Sequence, residues 1–517
     1  MRLHTLSDVK LSLGQSEETL YSIAEKKLGR KAAYFAIKKK SLDARDKNNI
    51  KYIYTIEFSA SPYSEPLAEL PRLSKEKLPK DNVLVVGSGP AGLFCALRLM
   101  EHGITPIVIE RGAPVEEREK DISRFSNEKL LNINSNVQFG EGGAGTFSDG
   151  KLNTQTHSPL NREVLKTFVK FGAPKEILWL SKPHIGSDNL KIVVKNMREY
   201  ILQQGGKVLF HTCLTDMRCV DGKVSQAVIK TPDGEEMLPV SAVVLAVGHS
   251  ARDTFEMLLH KGVQMSQKDF AVGARIEHLQ SKIGMAQYGK AYAQLPAADY
   301  KLVSHAADRA AFTFCMCPGG FVMPSASEEG GVVTNGMSNY ARDGVNANSA
   351  LIAQVTRADF QAFGDSPLAG VEFQRSLERA AFEAGGKNYA APVQLVGDFL
   401  QDKESSRFGE VQPTYAAGTA FADLRSVLPA PVVSALKASL LDMDRKLKGF
   451  ASPDAILTAV ETRTSSPIRI ERDETLQSIS VKGLYPCGEG AGYAGGITSS
   501  AADGLRVATA LFQSLNS

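Results

Sequence analysis

The stretch that decides the fold is Asn82 to Gly112, NVLVVGSGPAGLFCALRLMEHGITPIVIERG. It opens with a continuous apolar, β-branched run, the pattern of a parallel strand covered on both faces. Gly87-Ser88-Gly89-Pro90-Ala91-Gly92 then starts an apolar helix that Gly103 closes, and PIVIE makes a second strand ending in Glu110. Gly87 permits the tight turn, Gly89 lets backbone meet a pyrophosphate at the helix N-terminus, and Gly92 lets helix and strand pack closely. Glu110 stands where an acid accepts from a ribose hydroxyl. A GxGxxG alone says little, but strand, helix and acid in this order make a dinucleotide-binding βαβ unit.

Upstream, the unit begins only after residue 80, so the preceding chain is an attachment to it. Residues 61–81, rich in Pro, Ser and charge, read as a linker. Residues 1–60 read as a small α+β module, with SEETLYSIAEKKLG as a helix capped by Ser16. Twelve Lys/Arg face six Asp/Glu in the first 51 residues, so this piece is basic.

Downstream, three stretches choose the nucleotide. NVQFGEGGAGTFSDGKLNT, Asn136–Thr154, also satisfies GxGxxG through Gly140, Gly142 and Gly145. No apolar strand precedes it and no apolar helix follows, so it reads as a loop whose backbone lies against a flat cofactor or substrate. In SAVVLAVGHSARDTFEMLL, Ser241–Leu259, an apolar strand ends in Gly248 after a β-meander-like run. LYPCGEGAGYAGGITSSAADGL, Leu484–Leu505, is a short strand ending in Gly488 with Glu489 at its tip, then a helix opened by Gly495 and Gly496. A strand-tip acid suits ribityl hydroxyls, and a helix N-terminus suits negative charge at the flavin edge. The chain thus returns to its first domain to finish the site, which FAD requires and NAD does not.

The whole chain has 517 residues, 43% hydrophobic and 23% charged, with a net charge of +3. That is enough to bury more than one core and too balanced to argue for nucleic acid or membrane. None of the six cysteines (Cys95, Cys213, Cys219, Cys315, Cys317 and Cys487) forms a CxxC pair, so neither a zinc site nor a disulfide scaffold is expected. Without an apolar leader or a run of about 20 apolar residues, the expected location is cytoplasmic and not membrane-bound.

GSGPAGLFCALRL, GEGGAGTFSDGKLNT, FAVGARIEH, TFCMCPGGFVMPSASEEGGVVTNGMSNYARDG, NANSAL and PCGEGAGYAGGITSSAADGL together resemble bacterial FAD-dependent dehydrogenases of unassigned substrate, also represented in plants. More distantly the chain is similar to glutathione-reductase-like and p-hydroxybenzoate-hydroxylase-like flavoproteins. The resemblance implies that Gly87, Gly89, Pro90, Ala91, Gly92, Glu110 and Arg111 line the ADP half. It implies Gly143, Ala144, Gly145, Thr146, Glu489, Gly495, Gly496, Ile497 and Thr498 near the ribityl chain and ring. Ser88 in the turn, and Gly248 and Gly488 at strand ends, complete the expected cofactor contacts. Glu489 departs from the broader flavoprotein pattern, where Asp is commoner.

The expected fold is therefore α/β, a Rossmann-like FAD domain of the two-dinucleotide-binding-domain type with an inserted α+β substrate domain and a small N-terminal α+β module. The pieces are residues 82–276 and 456–517 for FAD and 277–455 for substrate. The candidates for chemistry are His249 after the strand-end Gly248, His278 in GARIEH, and Arg342 in NGMSNYARDG as a carboxylate anchor. His249 is either a base or a histidine bonded to backbone near the adenosine; His278 is either an acid–base group or an exposed strand end. By alternation Arg275 and Glu277 share a strand face, more often a structural pair than a catalytic one. Asn335, Ser338 and Tyr340 add donors beside Arg342, whose alternative is a loop salt bridge. Cys315 and Cys317 are core residues or a redox pair.

The expected activity is hydride transfer between an organic substrate and FAD. A flavin monooxygenase and a flavin-bearing RNA- or partner-binding protein acting through the basic module stand as alternatives. Transient NAD(P)H binding stays open, and the basic module leaves nucleic acid open without a recognised signature.

Overall fold

The computed structural model describes residues 3–64, 72, 74, 82–154 and 156–516. The expected linker at 61–81 therefore lies mostly outside the described residues. The module contains β1 (His4–Ser12), α1 (Glu18–Leu28), β2 (Tyr34–Asp43) and β3 (Lys51–Ser59). Its antiparallel sheet has the order β1-β3-β2, and Leu20 and Ala24 of α1 close a core over Tyr54, Ile56 and Phe58. The cap of α1 falls at Glu17, which is already helical, while the Ser16 hydroxyl accepts from the Glu18 N–H at 3.2 Å. The outer edge of β2 docks on the next domain, where the Lys40 N–H donates to the Trp179 carbonyl at 2.7 Å and the Ser181 N–H to the Lys40 carbonyl at 2.9 Å.

The next domain runs β4 (Asn82–Val86), α2 (Pro90–Glu101), β5 (Pro106–Ile109), α3 (Val115–Glu128), α4 (Leu160–Lys170), α5 (Ser187–Gln203) and β6 (Lys207–Leu209). It continues with β7 (Cys213–Val220), β8 (Lys223–Thr231), β9 (Gly234–Leu245), α6 (Arg252–His260) and β10 (Met265–Gln267). The sheet order is β6-β5-β4-β9-β8-β7, parallel from β6 to β9 and antiparallel across β9-β8-β7. Its parallel strands are apolar throughout because helices cover one face and the meander side covers the other.

The chain then builds a second sheet from β11 (Phe270–Leu279), α7 (Gln280–Tyr288), β12 (Val303–Ser304), β13 (Ala311–Cys317), β14 (Phe321–Pro324), β15 (Thr334–Met337), β16 (Asn346–Val355) and α8 (Ala369–Ala384). It is completed by β17 (Ala391–Leu395), α9 (Val396–Leu400), β18 (Thr419–Phe421), α10 (Ala430–Lys446) and β19 (Ile456–Glu461). The order is β12-β13-β16-β11-β19-β17-β18, with β14 and β15 as a separate hairpin. Bounds at 277 and 455 therefore need correcting: the first cuts β11, and the second leaves β19 outside the sheet that it shares with β11. Its central strands β11, β16 and β19 are buried almost throughout, so no change of hydrophobic pattern within β11 marks where the second sheet begins.

Last come β20 (Ile468–Ile470), which pairs with β10, β21 (Leu484–Pro486), and α11 (Ile497–Asn516). β21 lies parallel to β9, and α11 packs on α2 through Ala501, Leu505 and Ala508. The far C-terminus thus returns to the first βαβ unit. Among the described residues, no helix is long and apolar enough to cross a membrane.

Candidate functional site

The carboxyl ends of β4, β5, β9 and β21 converge on one cleft, the place where open α/β sheets bind their ligands. It runs from the Gly87 turn to the face of the second sheet, with Glu461 and Cys315 at its far end.

At the near end, Gly87 has φ +104° and a Cβ there would stand 2.3 Å from the Ala246 carbonyl oxygen. A Cβ on Gly92 would stand 1.9 Å from the Gly87 carbonyl, so the third glycine packs the helix onto the turn. Gly89, Pro90 and Ala91 border the cleft at the start of α2. Glu110 also borders it, and its carboxylate is a hub: Oε2 accepts from the Ser88 N–H and hydroxyl, both at 2.9 Å, and Oε1 from the Gly112 and Gly140 N–H groups, both at 3.0 Å. Arg111 lies over the Phe139 ring and donates to Asp253 at 2.8 Å.

The loop after α3 is held from beneath by Arg118, a fully buried residue that sequence reading missed. Its guanidinium donates to the carbonyls of Asn136 at 2.8 Å, Val137 at 3.0 Å, Glu141 at 2.6 Å and Gly143 at 2.9 Å. Burial lowers its pKa to about 10, which still leaves it charged at neutral pH. Its position in VEEREKDISRF gave no sign, since the segment is dense in charge. The effect is to present Gly143, Ala144 and Gly145 to the cleft.

In the middle of the cleft, His249 Nδ1 lies 3.1 Å from Glu489 Oε1, and the Gly496 N–H donates to Glu489 Oε2 at 3.1 Å. His249 Nε2 is buried and has no partner, at a wall of the cleft. Gly248 and Gly496 also border it, and nothing lies within 4 Å of where a Cβ on either would stand. Two open glycines and an orphaned imidazole nitrogen are what a hydroxyl-bearing cofactor would cover, so these residues fit FAD. Ile497 completes this wall.

Other expected contacts do not border the cleft. Ser88 is turned onto Glu110, Gly92 packs inward, and Thr146 donates to the Glu141 carbonyl at 3.3 Å. Thr498 donates to the Leu152 carbonyl at 2.8 Å. The Gly488 N–H donates to Asp503 at 2.8 Å and the Gly495 N–H to Ser499 at 3.1 Å. These six residues shape the lining from behind.

The far end comes from the second sheet and from Lys151. Glu461, at the end of β19, is buried and borders the cleft. Burial raises its carboxyl to about 7, although the Arg275 guanidinium 3.6 Å away pulls in the other direction. The Thr334 hydroxyl donates to it at 3.5 Å. Sequence reading missed Glu461 too, but a lone acid within AILTAVETRT was a usable signal. Cys315 opens into the cleft from a bulge in β13 with φ +39°, where its side chain is exposed. Cys317 is buried behind it, its thiol donating to the Cys315 carbonyl at 3.2 Å.

Two expected chemical residues lie elsewhere. His278 is buried on the central strand β11, with Nε2 2.7 Å from the Phe450 carbonyl, and it is neither in the cleft nor at an exposed strand end. Arg342 is clasped by Asp149 at 2.9 and 2.5 Å, which makes it the loop salt bridge rather than a free anchor. Arg275 and Glu277 do not pair: Arg275 donates to Asn348 and the Cys315 carbonyl, and Glu277 accepts from Thr414 and Asn346. Of the donors near Arg342, only Asn335 borders the cleft; Ser338 donates to the Pro318 carbonyl and Tyr340 to Glu176.

An ionic cluster ties the two sheets together. Arg252 at the start of α6 and Arg463 after β19 both clasp Glu378 of α8 at 2.8 to 3.0 Å, and Arg252 also reaches Glu328. Burial would raise the Glu378 carboxyl, but the two guanidiniums win and hold it well below the usual range.

Three family descriptions match stretches of this chain. An FAD binding domain matches residues 80–120, the C-terminal domain-like region of FAD-dependent proteins matches 269–464, and a domain of unknown function matches 4–59. An "Uncharacterized protein" of Clostridium beijerinckii is 48% identical over 488 residues, 91% of this chain and 90% of the relative. Similar solved structures include the flavin-dependent brominase Bmp2, 13% identical over 84% of this chain and 79% of its own, with a TM-score of 0.37. A geranylgeranyl bacteriochlorophyll reductase-like protein from Thermoplasma acidophilum is 12% identical over the same shares, with a TM-score of 0.34.

Proposed function

Because this chain belongs to the FAD-dependent flavoprotein family, with FAD as its cofactor, we propose that it is an oxidoreductase of the dehydrogenase kind acting on a small organic molecule. FAD, when bound, supplies two-electron hydride chemistry at its ring. The observation that carries the reading is the continuity of the cleft from the Gly87 turn to the buried Glu461. Gly87, Gly89 and the α2 N-terminus would hold the pyrophosphate, Glu110 the ribose, and Glu489 with Gly496 the ribityl end.

The chain's own contribution is proton handling and exclusion of water. A carboxyl near pH 7 keeps a protonated fraction at neutral pH, which suits Glu461 to present a proton to the bound substrate. Arg275 fixes where that carboxyl stands, while Phe314 and Ile497 supply apolar wall. His249, whose Nδ1–H donates to the Glu489 carboxylate, leaves the Nε2 lone pair of the neutral ring facing the cleft as a proton acceptor.

The deciding experiment is the visible spectrum of the purified protein, repeated anaerobically with candidate metabolites and with NADH or NADPH. Bleaching by an organic metabolite, with an oxidised but unoxygenated product, is the expected result. Bleaching by nicotinamides alone would make the protein a reductase, and an oxygenated product in air would make it a monooxygenase.

A further inference from the structure

The far end of the cleft holds a lysine, Lys151, with no carboxylate partner among the described residues. Its Nζ donates to the Met316 carbonyl. The acids around it are engaged elsewhere: Asp149 is clasped by Arg342, and Asp299 by Lys182 at 2.7 Å. Beside it, His184 is held neutral by burial and by Arg342. With those two pairs cancelled, the local charge is positive, carried by Lys151 and, where Glu461 is protonated, by Arg275 as well. Lys151 holds the Met316 carbonyl, Arg275 donates to the neighbouring Cys315 carbonyl, and Glu461 stands 3.6 Å from Arg275, so the ammonium and the carboxyl border the same end of the cleft. Phe314 and Ile497 give that space an apolar wall.

We propose that this end of the cleft binds a small organic carboxylate, whose charge pairs with the Lys151 ammonium while the neutral Glu461 carboxyl donates a hydrogen bond to it. The proposal rests on the reading that this end receives the substrate, and it narrows that substrate to organic acids. The charged group facing Glu461 is Arg275 of β11, and the Cys315 thiol of β13 is a neutral titratable neighbour. Arg463 is taken up by Glu378 of α8, and Thr334 of β15 is uncharged.

The sign follows from the charges. A simple carboxylate stays ionised above about pH 5. Below pH 7 Glu461 is protonated and welcomes the anion; above pH 7 it ionises and repels it. Flavin-bound protein would be titrated with benzoate and acetate, and with benzamide and acetamide as uncharged counterparts, following the visible flavin band. The expected result is a band shift with the carboxylates only, with Kd rising by up to about tenfold per pH unit above 7. Glu461→Gln should flatten that dependence. Lys151→Met should weaken binding roughly tenfold or more at pH 6.5, and Lys151→Arg should restore most of it. Equal binding of acid and amide, or full affinity in Lys151→Met, would overturn the proposal. An intact flavin band indifferent to both carboxylates defeats this site alone, whereas a protein that takes up no FAD defeats the functional reading with it.

Discussion

At the scale of single residues, the cleft depends on positions where a side chain is missing or misplaced in charge. Gly248 has φ +74° and open space above it, facing the cleft. Gly248→Val would cost about 1–2 kcal/mol of backbone strain and push two methyls toward the cofactor. FAD content, read as the ratio of flavin to protein absorbance, should collapse while the far-ultraviolet circular dichroism stays native; unchanged FAD content would refute the placement. His278 makes a second prediction. Burial lowers its pKa from 6.5 to about 4, so the unfolded chain takes up the proton first. Stability is full above pH 6.5 and declines toward pH 4, by up to about 3 kcal/mol from this residue. His278→Leu should be less stable than the parent at pH 8, having orphaned the Phe450 carbonyl, yet lose less on acidification. Equal slopes in denaturant titrations between pH 4 and 8 would sink that account.

At the scale of elements, βαβ geometry was legible because each of its parts has a local cause. Continuous β-branched residues make β4, Gly87 makes the turn, and Pro90 starts α2. The second sheet was harder to read, because Arg275 and Glu277 sit in a strand buried on both faces and alternation cannot tell which partner each finds. Both are paired with partners 40 to 186 residues away in sequence, which periodicity does not report. The Arg252–Glu378–Arg463 cluster joins α6, α8 and the end of β19. Glu378→Gln would leave two buried guanidiniums short of charge, costing about 3–5 kcal/mol. Because Glu378 is held below its ordinary value of 4.5, its contribution is present above that pH and lost as pH falls below it. Chemical denaturation at pH 7 should show a lower midpoint in the variant, with the gap between variant and parent closing toward low pH. A midpoint equal to the parent's at pH 7 would show that the cluster does not couple the sheets.

At the scale of the whole molecule, FAD is a structural ligand as well as a reagent. The cleft that would hold it is lined by segments near residues 87, 110, 143, 248 and 489, so FAD should bind the folded chain and not the unfolded one. At a hundred times its Kd it would add about 2.7 kcal/mol, and the apoprotein's melting temperature should climb as FAD is titrated in. No rise at saturating FAD would contradict the cleft assignment. The N-terminal module contributes nothing to the cleft lining and docks on the next domain through the edge of β2. Deleting residues 1–78 should therefore leave FAD content near the full-length value; its loss would mean that the module supports the site after all.

The amino-acid sequence by itself determined the βαβ unit, the FAD cofactor and the return of the C-terminus to complete the site. Those features rest on short-range chemistry: glycine where φ is positive, apolar runs where strands are covered, and an acid at a strand tip. Only the tertiary structure decided that Glu461 and Lys151 line the same far end of the cleft, that Arg118 props the loop from Asn136 to Gly143, and that His278 and Arg342 stand aside. Those outcomes depend on which distant group neutralises, desolvates or hydrogen-bonds each charge, and that is fixed only when the two sheets close on each other.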